Sequence, residues 1–175
     1  MRVSKEELVA VLAQFNPWWR GEAIADLPIW RRAAFRELQA WMTQPPAPRA
    51  VLLSGARQIG KTTLLLQAAD TLLRGGVPGA NVLYATFDHP ILKLAGIDAV
   101  IDAWREREPR ADGPEYLLLD EAQFIRDWGT WVKHQVDFRK DRRIAFTGSA
   151  MPLVEADQES GVGRWHTIRL TTLSL

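Results

Sequence analysis

The stretch GARQIGKT, Gly55 to Thr62, matches the spacing G-x-x-x-x-G-K-[ST] at every fixed position. That spacing is the chemistry of a phosphate cradle. Its glycines let the backbone curl so that successive N–H groups point inward at phosphate oxygens. A helix starting near Lys61 would add the positive end of its dipole. The Lys61 ammonium can reach β- and γ-phosphates, and the Thr62 hydroxyl can ligate Mg²⁺. Gly60 permits close approach of the chain, and the N–H of Thr63 can donate to an α-phosphate. The expected nucleotide-binding set is therefore Gly55, Ala56, Arg57, Gln58, Ile59, Gly60, Lys61, Thr62 and Thr63. The plain alternative is a glycine-rich turn that binds nothing. An apolar run before the loop and a helical pattern after it favour the cradle.

A second stretch, YLLLDEAQ (116–123), ends an apolar run in two acids. At the tip of a strand beside the phosphate loop, Asp120 would hold the Mg²⁺ shell. Strand alternation would turn Glu121 the other way, where it could orient and deprotonate an attacking water. Two acids at a strand end are also what a solvated terminus looks like, and it is the phosphate loop that gives the pair its meaning. A later run ends in Thr147-Gly148-Ser149. Thr147, last on that strand, is the chosen small polar group to sense a γ-phosphate or hold the water, with Ser149 close behind. No N/T-K-x-D base-reading motif occurs late in the chain, and RKDR (139–142) does not match it, so ATP is favoured over GTP. Trp18, Trp19 and Ile29, before the loop, are the candidates for contact with adenine.

These groups need a scaffold, and the pattern supplies one. AVLLS (50–54), NVLYATFD (81–88), EYLLLDE (115–121) and RIAFTGS (143–149) read as strands that are apolar on both faces. Between them lie helical patterns. One spans 61–76 and stops at Gly75-Gly76, a favoured end signal. A short one carries Ile97, Val100, Ile101 and Trp104, and another, with Asp127 as cap, carries Trp128, Trp131, Val132 and Val136. Alternating strands and helices predict an α/β fold with a parallel sheet. Ahead of the sheet, Ser4 and Glu7 form a capping-box spacing, followed by Leu8, Val11, Leu12 and Phe15 at helical intervals. A second helix is expected from about Pro28, with Ala34, Leu38, Trp41 and Met42 on one face. The prolines of TQPPAPRA (43–50) mark a linker. The expected organisation is a helical segment, 1–44, packed on an ATPase core, 45–175.

Composition excludes other classes. There is no cysteine, hence no disulfide and no thiolate metal site. A net charge of +1 argues for no global attraction to nucleic acid or membrane. No stretch approaches a membrane helix, and Lys5, Glu6 and Glu7 stand where a signal peptide needs an apolar run, so a cytoplasmic location is expected. The eight tryptophans read as core and interface filling. The three histidines have no acid at metal-ligand spacing, and no Ser-His-Asp arrangement appears. Asp88 could approach the site, while His89 reads as an exposed loop residue. RKDRR (139–143), with Arg105 and Arg107, has the chemistry to touch DNA phosphates. Asp141, Glu106 and Glu108 interleave those cations, the pattern of a solvated face.

In GARQIGKTTLL, YLLLDEAQFIRDW, FTGSA and GRWHTIRLTTLSL, taken in this order, the chain resembles a family of prokaryotic AAA-type P-loop ATPases. The family's ATPase domain is usually followed by a nuclease-like domain. The likeness covers nearly the whole chain and is narrowed by Arg57, Gln58, Gln123, Gly148-Ser149 and Gly163-Arg164. It implies a three-layer sandwich with a five-stranded sheet of order 5-1-4-3-2 and Glu121 as catalytic base. It also implies that Arg164 could be a sensor or an arginine finger toward a neighbouring subunit, although a surface ion pair is the blander reading. The second domain lies outside this chain.

The leading expectation is an Mg²⁺-dependent ATPase module, slow alone, serving an absent domain or a partner that could be a second copy. A nucleotide-gated switch that barely hydrolyses is the alternative. A small-molecule kinase is the third reading, with WREREPR (104–110) as its only lid candidate. The fifth strand is expected at 167–173. The last residues, 170–175, would then show an apolar edge or meet another chain, as at a cut domain boundary.

Overall fold

A computed structural model describes residues 2–56, 59–148 and 163–171. Five parallel strands form one sheet in the order β2-β3-β4-β1-β5: β1 (Ala50–Ser54), β2 (Val82–Thr86), β3 (Glu115–Asp120), β4 (Arg142–Gly148) and β5 (Trp165–Arg169). This is the order 5-1-4-3-2 read from the other edge. β1, β2 and β3 are buried along their whole length. That explains why they read as unbroken apolar runs, since parallel strands are covered on both faces.

The helices are α1 (Lys5–Phe15), α2 (Ala33–Thr43), α3 (Lys61–Arg74), α4 (Pro90–Ala95), α5 (Ile97–Arg107) and α6 (Trp128–Phe138). Side chains of α1, α4, α5 and α6 fill one face of the sheet around Leu12, Phe87, Trp104 and Phe146. Those of α2 and α3 fill the other around Leu38, Met42, Leu53, Leu64 and Leu65. The N-terminal segment thus contributes to both layers. Among the described residues no helix is long and apolar enough to cross a membrane.

Ser4 caps α1 with the full reciprocal pair to Glu7. The start of α2 differs from expectation: it lies at Ala33, not near Pro28. The carbonyls of Pro28 and Trp30 accept from the Gln67 carboxamide of α3 (3.1 and 3.0 Å), which commits this backbone to a neighbour instead of a helix. Asp127 stands at the N-cap position of α6, yet its side chain makes no capping bond; its backbone is left-handed, at φ 60°. α4 was not expected, being too short to show a period.

The last strand also shifts. It begins at Trp165 and ends at Arg169, two residues before the expected start and four before the expected end. Register with β1 sets it, pairing Ala50 with Trp165 and Ser54 with Arg169. Leu170 is buried, Thr171 is exposed and polar, and 172–175 lie outside the described residues. The exposed apolar edge expected there is therefore absent from the described part of the tail.

Candidate functional site

In a parallel sheet all strand C-termini share one end, and the loops leaving that end meet. Here the loop after β1, the tip of β3 and the tip of β4 come together. The loop needs glycine at two places. A Cβ on Gly55 would stand 2.9 Å from the Leu170 carbonyl oxygen, so β5 can only close on a bare backbone. Gly60 holds φ 99°, a left-handed conformation, where the loop turns into α3. Arg57 and Gln58 lie outside the described residues, as does Ser149.

Lys61 is only 4% exposed. Its ammonium donates to the carbonyls of Gly55 (2.8 Å) and Gly148 (2.9 Å), tying the loop to the end of β4. Thr62 follows on the exposed side of the first turn. Its hydroxyl donates to Asp120 Oδ2 at 2.6 Å. Asp120 is 2% exposed and gathers three hydroxyls: Thr62 and Tyr84 (2.7 Å) on Oδ2, and Thr147 (2.5 Å) on Oδ1. Three hydroxyl donors thus satisfy this buried carboxylate. All of these ligands are hard oxygens, the donor chemistry that suits Mg²⁺. Among the described residues no group of three or more His, Cys, Asp or Glu could cage a metal by itself. The donor set therefore fits an ion completed by phosphate oxygens and water.

Glu121 departs from strand alternation. β3 stops at Asp120, and Glu121 turns left-handed at φ 55° and ψ 47° to open a short 3-10 turn, Ala122–Phe124. Its N–H is taken by the Thr147 hydroxyl at 2.9 Å. Its carboxylate accepts from the Gln123 amide at 2.5 Å. A non-glycine residue in this conformation is strained by about 1–3 kcal/mol, and such strain gathers at working sites. Thr147 itself is fully buried. Its hydroxyl proton goes to Asp120 and its lone pair to Glu121, which places it behind the two acids.

Two contributors were missed in the sequence. Tyr84 on β2 reads as core, yet its phenol reaches Asp120. Burial, followed by the Asp120 charge, pushes that phenol far above its ordinary pKa, so it remains a donor. The Asn16 carboxamide grips the Tyr84 backbone from both sides, accepting from its N–H (2.8 Å) and donating to its carbonyl (2.9 Å). Arg32 is the other. Its guanidinium donates to the Ile59 carbonyl in the phosphate loop and the Thr171 carbonyl beyond β5, both at 2.5 Å. Just before it in the chain, Ile29 and Trp30 are exposed (93% and 58%); Ile29 borders a recess with Gln67, Asp70 and Arg74 of α3, so of this segment it is the Arg32 guanidinium that reaches the loop.

Other expected groups lie elsewhere. Trp18 and Trp19 both donate their indole N–H to the Val82 carbonyl, at the start of β2 and so at the opposite end of the sheet. They cannot meet a base bound at the phosphate loop. Arg164 lies at that far end too: its carbonyl accepts from Ala50 N–H (2.9 Å), and its guanidinium pairs with Asp137 (3.3 Å). Contact with its own chain's nucleotide is excluded by this register. Asp88, by contrast, is at the site's end of the sheet, accepting at 2.7 Å from the hydroxyl of Thr86, which pairs in register with Asp120, while His89 caps α4. The lid candidate fails on the same geometry. Arg105 is held by Glu115 at the start of β3 and Arg107 by Glu108, far from the loop.

Comparison with known proteins agrees with this fold. A family model described as an AAA domain matches residues 47–175. An uncharacterised protein of Haemophilus influenzae is 30% identical over 128 residues, 70% of this chain and 31% of that protein. AMPPCP-bound DnaA from Aquifex aeolicus superposes with a TM-score of 0.53 at 16% identity, over 87% of this chain and 49% of DnaA. The Aeropyrum pernix ORC1 protein in complex with DNA does so with a TM-score of 0.55 at 15% identity, over 90% of this chain and 49% of ORC1. The chain thus spans about a third of its curated relative and about half of these structures. At such identities the structures attest the fold.

Proposed function

The chain belongs to the AAA domain family and is a nucleotide-binding module of P-loop fold; from that premise we propose that it binds ATP with Mg²⁺ and hydrolyses it by in-line attack of water. One observation carries the reading: a buried carboxylate, Asp120, holds the hydroxyl of the phosphate-loop Thr62 beside a strained acid, Glu121.

Each group has a task. Lys61, already buried, turns from the carbonyls of Gly55 in the loop and Gly148 at the end of β4 to the β- and γ-phosphates. The Thr62 hydroxyl gives its proton to Asp120, which leaves its lone pairs for the metal. When bound, Mg²⁺ would neutralise charge on the transferring phosphate. Glu121 takes the proton of the attacking water. Gln123 holds one oxygen of Glu121 and leaves the other for that water. Thr147 positions both acids and touches neither water nor phosphate. Trp30, exposed two residues before the loop-bound Arg32, is the ring offered to the base, with Ile29 next to it in the chain. Arg164 is left to act, if at all, on the nucleotide of a second copy.

The Gln123 clamp on Glu121 is also what favours the second reading, a switch whose base is held idle until a partner engages. Single-turnover phosphate release with and without DNA or cell extract separates the two. What the engine serves, an attached domain or another chain, is set outside these residues.

Two results are expected at this site. Tyr84→Phe should bind ATP normally without metal, but need about tenfold more Mg²⁺ for half-maximal tight binding, the equivalent of ~1.4 kcal/mol for one charge-assisted hydrogen bond. An unchanged Mg²⁺ titration removes the phenol from the site. Trp30→Ala should weaken ATP about tenfold, within the ~1–3 kcal/mol of a base on an aromatic ring. Inorganic triphosphate, which has no base, should bind as before. Equal loss for both ligands would move the base elsewhere.

A further inference from the structure

The end of the sheet opposite the phosphate loop gathers a cluster of seven of the chain's 22 Lys and Arg residues. Glu115, 1% exposed, opens β3 and is ringed by Arg105, Arg110, Arg139 and Arg142. Asp141 joins the ring through Arg110 (2.7 Å) and Arg139 (3.0 Å). Arg49, Lys140 and Arg143 stand beside it with no carboxylate partner among the described residues. Glu108 and Asp137 at this end pair with Arg107 and Arg164, so Arg49, Lys140 and Arg143 keep their charge unneutralised by a contact with a described carboxylate.

These three cations border a recess of ≈ 270 Å³ whose other walls include Pro45, Pro48 and Arg142. No acidic residue lines it. The register of β1 with β4 pairs Val51 with Ala145, and carried back two positions it sets Arg49 beside Arg143. Like charges directly across neighbouring strands repel. The Arg143 Nε is buried and meets no acceptor among the described residues. Among the described residues, Lys140 gives its ammonium to the Val136 carbonyl alone (2.8 Å). Such a cluster gains from an anion it does not contain.

The arrangement is a line. Lys140 stands on the turn before β4, Arg143 opens β4 and Arg49 precedes β1, the neighbouring strand. At roughly 4.8 Å between strands, Arg143 and Arg49 are spaced on the scale of successive phosphates, at ~3.4 Å of rise per nucleotide. A compact anion would need the cations to converge; a line suits a chain with one charge per repeat. Guanidinium forks also match phosphate oxygens two at a time.

We propose that the recess at the N-terminal end of the sheet, bordered by Arg49, Lys140 and Arg143, is a docking track for the phosphodiester backbone of a nucleic acid. It lies about five residues of strand, ~16 Å, from the phosphate loop, so the two ligands do not compete. Arg139 and Arg142 hold Glu115 and build the track; the other three carry the contact. Binding is independent of base sequence and strongly dependent on salt.

The test uses fluorescence anisotropy with a labelled single-stranded oligonucleotide, across about 50 to about 200 mM salt. Wild type should bind, with log affinity falling by about 2–3 per decade of salt for three contacts. Arg49→Glu with Arg143→Glu should lose at least about tenfold and flatten the slope by about 2. ATP affinity and thermal melting of the variant should match wild type. Lys140→Glu, on an exposed turn, gives the same direction of change should the double variant fail to fold. Absence of binding by wild type, or equal binding by a folded variant, overturns the proposal. So does equal competition by polyglutamate, which would make the track a site for acidic protein instead. None of these outcomes bears on ATP at the opposite end, so the two readings fail separately.

Discussion

Glu121→Gln should bind ATP as wild type does and release phosphate about 10²–10⁴-fold more slowly, the range for losing a positioned general base. Glutamine keeps the size of the side chain and loses only the basic oxygen. The backbone reasons for the site's shape survive: the Glu121 N–H still meets Thr147, and the left-handed turn is unaltered. Nucleotide affinity therefore separates the two roles of this corner. Calorimetry reports binding through the loop, and single-turnover phosphate release reports the base. Unaltered release would remove Glu121 from the mechanism and leave Asp120 with the metal alone. Retained binding with lost turnover would also provide a trapped ATP state, in which the effect of nucleotide on partners can be followed.

Lys61→Ala should weaken ATP by about 10²–10³-fold, since one ammonium beside phosphate at an effective dielectric of ~20 contributes about 4 kcal/mol at 4 Å. The same side chain bonds the carbonyls of Gly55 and Gly148, so its loss also unties the loop from β4. Thermal melting should accompany the titration. A variant that melts within a few degrees of wild type and still binds ATP tightly would overturn the assignment of the loop. Arginine is a poor rescue here, because its planar fork does not fit the space of a compact ammonium.

The two experiments address residues that could be named from the sequence, and the reason is local. Gly55 to Thr62 is a contiguous cradle whose shape depends on backbone freedom and helix onset within eight residues. β1, β3 and β4 announce themselves because burial on both faces demands unbroken apolar runs. Boundaries were less legible. α2 reads as starting at Pro28 because proline suits a first turn, but the Gln67 carboxamide, 39 residues away, takes the Pro28 carbonyl that a helix would use. Glu121 reads as the last residue of a strand, but the Thr147 hydroxyl takes its N–H and turns it out of the ladder.

The sequence alone determined that this chain makes a parallel α/β core with a phosphate loop and an acid pair, since periodicity and spacing encode those directly. Only the tertiary structure decided which end of the sheet each remaining residue occupies. A loop in an α/β chain can lie at either end, and a few residues' error in a strand's start moves a side chain by several ångströms. Trp18, Trp19 and Arg164 went to the far end on that account, with Val82 and Asp137 as their partners. Tyr84 came to Asp120 because β2 lies beside β3, and Arg32 came to the loop because its segment runs along α3. Such pairings join residues tens of positions apart through strand order and register, and neither is written in the spacing of a single chain.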